Sequence, residues 1–447
     1  MPSVSETTES TATERYLERN RRFIPGGLFS MNRRTDPMIV FERAQGAYMW
    51  DVEGRRYLDY HAAFAPYFLG HADPDVDGAV ISALQRQASL FGAGTTPWEG
   101  ELAELLVQSV PTLDVVQVTN TGSEATAYAI RLARAVTGRD GILLMQGGYN
   151  GWEDDVAFNL MDPADTLKPR DDGPGLSLRP ITNGIPEAIR RNVYVVQFND
   201  LDAVETVLKT GRIAALMLEP VLQNIGVVKP LPGYLEGLRR LCDTYGTLLV
   251  FDEVKTGFRN GLGGYQAICG IRPDLSTFGK AVANGYPLGV IGGRAEYMRY
   301  FDHPDAKEKV LIAGTYNGHP VPVFAAIATL KKLRDRHDEI YGHVDDLGRM
   351  MEEGLRAIFA KADYPFTIVR QSSAFVVYFM DHAPVDWLDL IRSNDMERDK
   401  RYRAALIERG IFHFPTPSKQ GSISFAHSRD DVATTLDVTE RLLGGVL

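Results

Sequence analysis

Leu248-Leu249-Val250-Phe251-Asp252-Glu253-Val254 is an uninterrupted apolar run that stops on two acids. A strand with no polar residue on either face is covered on both sides, which is the habit of a parallel sheet. Runs of the same kind recur at Val115–Val118, Ile142–Met145, Val193–Val196, Ile213–Leu218, Leu275–Phe278 and Leu288–Ile291. Helical stretches separate them. One is Tyr234–Tyr245, with Leu235, Leu238, Cys242 and Tyr245 on one face. This alternation predicts an α/β fold, a mainly parallel sheet covered by helices, with ligands bound beyond the carboxyl ends of the strands.

Outside this block the pattern changes. Residues 1–13, rich in Ser, Thr and Glu, read as a disordered tail. A short helix is expected at Glu14–Arg22, stopped by Pro25-Gly26-Gly27, then a meander through Ile39–Phe41, Ala47–Asp51 and Tyr57–Tyr60. Helical spacing marks Val76–Gln87 and Glu99–Val110. Asp162–Asn183, with four prolines, reads as a surface loop. Beyond Val323 come a helix to Arg336, another at Val344–Ala360, and strands such as Ser373–Phe379. The expected organisation is a tail (1–13), an N-terminal segment of a small domain (14–75), a large domain (76–323) and a C-terminal small domain (324–447).

The chain has 447 residues, 44% hydrophobic and 24% charged, ample for a large core. A formal net charge of −10 argues against nucleic acid as a partner. No apolar run is long enough to span a bilayer. Two cysteines, Cys242 and Cys269, suit a reducing compartment, and with no leader-like segment a cytoplasmic enzyme is the expectation. The nine histidines show no metal-ligand spacing, so no metal is expected. No Gly-x-Gly-x-x-Gly follows the first strand, which speaks against a dinucleotide-dependent dehydrogenase.

The residues after each strand should meet in one cleft. Asn120-Thr121-Gly122-Ser123-Glu124 follows the first strand and opens a helix. Thr121 and Glu124 have capping-box spacing, and free N–H groups at a helix start make a phosphate cup. Gly147-Gly148-Tyr149-Asn150-Gly151-Trp152 follows the second, bringing an aromatic between glycines. Glu219-Pro220 follows the fourth and Asp252 the fifth. A buried acid stays ionised only beside a cationic or N–H partner, which a protonated pyridine nitrogen would supply. Lys280 follows the sixth, crowded by Gly279, Ala281, Ala283, Gly285 and Gly289. Burial depresses a lysine's pKa and suits it to attack a carbonyl. Phosphate cup, stacking aromatic, carboxylate and lysine are the parts that bind pyridoxal 5′-phosphate.

Collinear motifs sharpen this reading. They include Ile24-Pro-Gly-Gly27, Trp50-Asp-Val-Glu-Gly54, Leu69-Gly-His71, Thr121-Gly-Ser-Glu-Ala-Thr126, Gly226-Val-Val228, Phe251-Asp-Glu-Val254, Thr256-Gly-Phe-Arg259, Gly279-Lys280, Gly314-Thr-Tyr-Asn-Gly318 and Ser424-Phe-Ala-His427. The chain resembles the class III, fold type I, pyridoxal-phosphate-dependent aminotransferases, within them the branch of glutamate-1-semialdehyde 2,1-aminomutase and the β-amino acid transaminases. That resemblance implies a large domain plus a smaller α+β domain built from both chain ends. It implies that Lys280 is the Schiff-base lysine and proton shuttle, and that Asp252 pairs with the pyridine nitrogen. Val254 and Tyr149 would flank the ring, and Thr121, Gly122 and Ser123 would hold the phosphate. Asn224 would lie near the phenolic oxygen, Glu219 would support these groups, and Thr315 would reach the neighbouring site of a homodimer. Lys255 is the rival lysine, set aside because the family usually has an apolar residue there.

Arg33 falls where the aminomutase branch keeps an arginine for the substrate carboxylate, with Arg34 as an equally charged neighbour. Other positions depart from that branch. Asn150 replaces a histidine, Ala63-Phe64-Ala65-Pro66 replaces Ser-Trp-Gly-Pro, Thr96-Pro97-Trp98 adds an aromatic, and Pro417–Gly421 has no glutamate. The expectation is therefore an aminotransferase acting on β-amino acids or other amine-bearing carboxylates, with a keto or aldehyde acceptor. Phe64, Trp98 and Trp152 are the candidate pocket walls. An aminomutase that moves the amine within one molecule is the alternative.

Overall fold

The computed structural model describes residues 10–89 and 91–443. Its centre is a seven-stranded sheet made from 115–119, 289–293, 275–278, 248–252, 213–218, 141–145 and 193–196, in that spatial order. Five neighbouring strands, from Leu275–Phe278 to Val193–Val196, run parallel. Gly289–Gly293 is antiparallel to both its neighbours. Leu248–Asp252 is buried at every position, as its uniformly apolar sequence requires. Ile142, Val193, Ala214 and Val250 pack on one face with the Gly122–Thr137 helix, while Leu143, Leu216, Leu249 and Phe251 meet Leu235 and Leu238 of Tyr234–Tyr245 on the other.

One strand differs from expectation. Val115–Thr119 lies at the edge of the sheet, and Val115 and Gln117 face outward, so this strand is half-buried rather than covered on both faces.

The remaining sheets lie to the side of this block in sequence. Phe41–Gln45, Tyr48–Asp51 and Arg56–Asp59 form the expected meander, and a two-residue strand, Ile411–Phe412, joins it parallel to Leu58–Asp59. The two halves of the chain are thus hydrogen-bonded into one sheet. Thr367–Gln371, Ala374–Tyr378 and Gly421–Ser422 make a third sheet.

Three helices start earlier than their apolar periods suggest. The first helix begins at Ala12, inside the expected tail, because Thr11 and Glu14 close a capping box; residues 1–9 lie outside the described residues. The helix expected from Glu99 starts at Pro97, and the one expected from Val344 starts at His337. No helix among the described residues is long and apolar enough to cross a membrane.

Candidate active site

Asp252 ends its strand with 2% exposure. Its Oδ2 accepts from Asn150 Nδ2 at 2.7 Å, and its Oδ1 accepts from the Val254 N–H at 3.0 Å and the Thr277 hydroxyl at 3.1 Å. All these donors are neutral. Burial therefore pushes the carboxyl up to about 6; the Asn150 bond opposes this and the charge of Glu219 adds to it. Such an acid is short of one positive partner. Lys280 follows the neighbouring strand on a left-handed residue, φ 48°, a strained conformation of the kind found at functional sites. Burial lowers its pKa, against the pull of Asp252 and Glu219.

Close contacts bring the other strand ends to the same place. Thr121 and Glu124 form the capping box expected of them. Gly122 lies so near Val254 that a Cβ there would come within 2.8 Å of both valine methyls. Gly151, at φ 126°, lies against Ser123, whose Oγ would be 2.9 Å from an added Cβ. The helix start, Val254 and the Tyr149–Gly151 turn are therefore one cluster. Glu219, 2% exposed, binds it from beneath: it accepts from the N–H of Tyr149 at 3.0 Å, the N–H of Gln223 at 3.0 Å and Asn224 Nδ2 at 2.8 Å. Burial raises the Tyr149 phenol, opposed by a hydrogen bond with Asn32.

After the third strand of the N-terminal meander the backbone does something unexpected. Ala62, Ala63, Phe64 and Ala65 all have positive φ, between 47° and 82°. Four L-residues in the left-handed region cost about 1–2 kcal/mol each, so the surroundings must impose the turn. Asp59 Oδ1 accepts from the N–H groups of His61 and Ala62, and Arg259 Nη1 donates to the carbonyl of Ala65 at 2.7 Å. The turn carries Phe64 into a cavity of about 450 Å³. Arg33, Phe29, His61, Phe412 and Phe414 also line it.

The other expected wall residues go elsewhere. Trp98 sits in the first turn of its helix, not in a loop, and packs against Phe324 with ring centroids 5.4 Å apart. Trp152 is 64% exposed and lines neither this cavity nor the smaller one beside it. A tryptophan near a glycine-rich or proline-led turn is free to face either way, and helix packing and loop direction set these two. Thr315 is exposed and makes no side-chain hydrogen bond among the described residues, while Asn317, two positions on, accepts from Asn120 Nδ2 at 3.0 Å. Asn150 as the partner of Asp252 was visible in the sequence only as a departure from the branch. Lys255, set aside above, is 5% exposed, with its Nζ 2.7 Å from the carbonyl of Gln223.

Comparison with known proteins agrees with this geometry. The sequence profile described as "Aminotransferase class-III" matches residues 30–415. A protein of Methanothrix thermoacetophila named glutamate-1-semialdehyde 2,1-aminomutase is 34% identical over 99% of this chain and 98% of its own length. The crystal structure of an omega-transaminase from Sphaerobacter thermophilus has a TM-score of 0.90 and 32% identity, covering 98% of both chains. A β-phenylalanine aminotransferase from Variovorax paradoxus has a TM-score of 0.84 and 27% identity, covering 97% of this chain and 94% of that one. A strand-end acid lacking its positive partner, set near a desolvated lysine and a free helix start, fits a phosphorylated pyridine, and the profile match covers all of these residues: the chain belongs to the class III aminotransferases, whose cofactor is pyridoxal 5′-phosphate.

Proposed function

We propose that this protein is an aminotransferase that takes the amine from an amino acid, of the β-amino acid or related amine-bearing carboxylate class, and gives it to a keto or aldehyde acceptor. The observation that carries this reading is Arg33 on the rim of an aromatic cavity with Phe29, Phe64 and Phe414. A guanidinium forks onto a carboxylate while the rings take an apolar body.

Bound pyridoxal phosphate supplies an aldehyde to carry the amine and a ring that withdraws electrons from the reacting carbon. The N–H groups of Gly122 and Ser123, with the Thr121 cap behind them, would hold its phosphate. Tyr149, Val254 and Asn224 would hold its ring, and Asp252 would keep a proton at its pyridine nitrogen. Lys280 Nζ, made less basic by burial, would take up the proton that leaves the substrate carbon. Glu219 keeps the Tyr149 and Asn224 turns in register. We place Thr315 at the neighbouring site of a homodimer. Its exposure, and that of Leu311 and Tyr316 at 67% and 61%, supports an interface there.

An aminomutase acting on glutamate 1-semialdehyde is the second reading, supported by the 34% identical relative of that name. The test is to titrate the cofactor-loaded protein with β-phenylalanine, alanine, glutamate and glutamate 1-semialdehyde while following its visible absorption. An amine that bleaches the band and releases a keto product is the expected result. Accumulation of 5-aminolevulinate from the semialdehyde alone, without an acceptor, would replace this reading with the second.

A further inference from the structure

Arg259 ends the Thr256-Gly-Phe-Arg259 turn, a short way past Asp252, and is 2% exposed. Its guanidinium meets only neutral groups among the described residues. Nη1 donates to the carbonyl of Ala65 at 2.7 Å, Nη2 donates to the carbonyl of Ile423 at 3.2 Å, and Cζ lies 5.1 Å from the centroid of the Phe68 ring. Nε has no partner among the described residues. Burial lowers this arginine to about 9, so it is still a cation at neutral pH. A buried cation without a counter-ion is costly.

The two carbonyls belong to opposite ends of the chain. Ala65 closes the left-handed turn whose start Asp59 pins through the N–H groups of His61 and Ala62. Ile423 follows Gly421–Ser422, and the Ser422 N–H donates to the carbonyl of Tyr60 at 2.7 Å. The carbonyl of Arg259 itself accepts from the Ser372 hydroxyl at 2.9 Å, which fixes the base of the side chain. Between the two pins of the turn sits Phe64. Its ring meets His61 edge-on, with centroids 4.3 Å apart, and lies 5.2 Å from that of Phe414. A fold shaped for stability alone would need neither the turn nor its brace, since glycine would relieve the one and an apolar residue could replace the other. What the guanidinium adds is a fork that reaches two carbonyls at once.

We propose that Arg259 is a positioning residue for substrate selection: by fixing the Ala65 carbonyl against that of Ile423, it holds Phe64 as a wall of the chamber. Arg259 does not line that chamber itself, so it acts on the bound molecule only through Phe64. The body of the substrate is thus read by a ring whose place is set from both ends of the chain. This assignment rests on the aminotransferase reading only for which molecule enters the chamber.

The test is calorimetric titration of the cofactor-loaded protein with two unreactive acids, 3-phenylpropanoate and propanoate. The wild-type protein should bind the aromatic acid more tightly. Phe64→Ala should reduce that preference by roughly 2- to 10-fold, the worth of one aromatic pair. Arg259→Met should reduce it by the same factor with Phe64 in place, and the double variant should lose no more than either alone, because both changes remove one wall. In turnover, KM for β-phenylalanine should rise relative to KM for β-alanine in the same variants. Additive losses in the double variant would overturn the proposal. So would an Arg259→Met variant that melts earlier yet keeps the preference, since the arginine would then only brace the fold. Equal binding of the two acids by the wild-type protein would overturn it as well. Should Arg259→Met fail to fold, Arg259→Lys carries the same comparison, keeping the charge without the fork. Absence of amine transfer from every donor would remove the proposed function, while the acid titration would still decide the role of Arg259.

Discussion

Two regions of the molecule solve different problems. The strand ends between Asn120 and Lys280 come from strand–helix units of one sheet, and the two acids there, Glu219 and Asp252, take their hydrogen bonds from that sheet's own loops and strands. The wall around Arg33, Phe64, Phe414 and Lys419 comes from both ends of the chain and is held by a strained turn. On the function proposed above, the first positions one fixed cofactor and the second receives a molecule that comes and goes. Changes in the first region should therefore lower turnover for every substrate alike, and changes in the second should discriminate among substrates.

The largest effect should come from Lys280→Ala. Turnover should fall by roughly 10³–10⁴-fold or more with every donor, since the proton shuttle is lost. A donor that retained its rate would break the comparison outright. Asp252→Asn should cost roughly 10²–10³-fold, as for removal of one preorganised electrostatic partner, again without regard to substrate.

The same variant tests the pH dependence. In the cofactor-free protein the Asp252 carboxyl sits at about 6, against an ordinary 3.8, so the folded state holds this proton more tightly than the unfolded one. Its contribution to stability is complete below the ordinary value and is lost as pH rises towards about 6. Urea midpoints of the wild-type protein should thus fall relative to Asp252→Asn between those values. Loading the cofactor, with its positive ring nitrogen, should flatten the difference.

Arg33→Met belongs to the second region. Donors with a distal carboxylate should lose roughly 10–100-fold in kcat/KM through that one charged contact, and an amine without a carboxylate should lose far less. Uniform loss would place Arg33 with the cofactor machinery instead. The smallest expected change is a gain. Ala63 is exposed at φ 52°, so Ala63→Gly should stabilise the fold by about 1 kcal/mol, read as a higher urea midpoint.

The comparison also explains what could be read from the sequence. A buried parallel strand announces itself, because no position from Leu248 to Phe251 tolerates a polar residue, and the chemistry follows immediately after it. The lysine, the acid and the helix start were legible for that reason. The Asn150–Asp252 bond was not, since its two ends are 102 positions apart and only the fold joins them. Nor was the turn at Ala62-Ala63-Phe64-Ala65. Its composition favours an ordinary right-handed helix, and the groups that force it the other way are Asp59 nearby and Arg259 far along the chain. Nor could the sequence show where Lys255 goes, since position relative to a family pattern says nothing about whether an ammonium finds a buried carbonyl.

The pairing of Ile411–Phe412 with Leu58–Asp59 has a further meaning for the newborn chain. Every strand of the seven-stranded sheet lies between residues 115 and 293, whereas Arg55 finds its carbonyl partner, Glu408, 353 positions later. During synthesis at about 5–20 residues per second, the seven-stranded sheet is complete on the order of ten seconds before the 41–59 meander can gain its last strand. On the function proposed above, translation delivers a scaffold for the coenzyme first and selectivity last. Until then residues 41–59 present an unfinished sheet edge, the surface that a holding chaperone would have to shield.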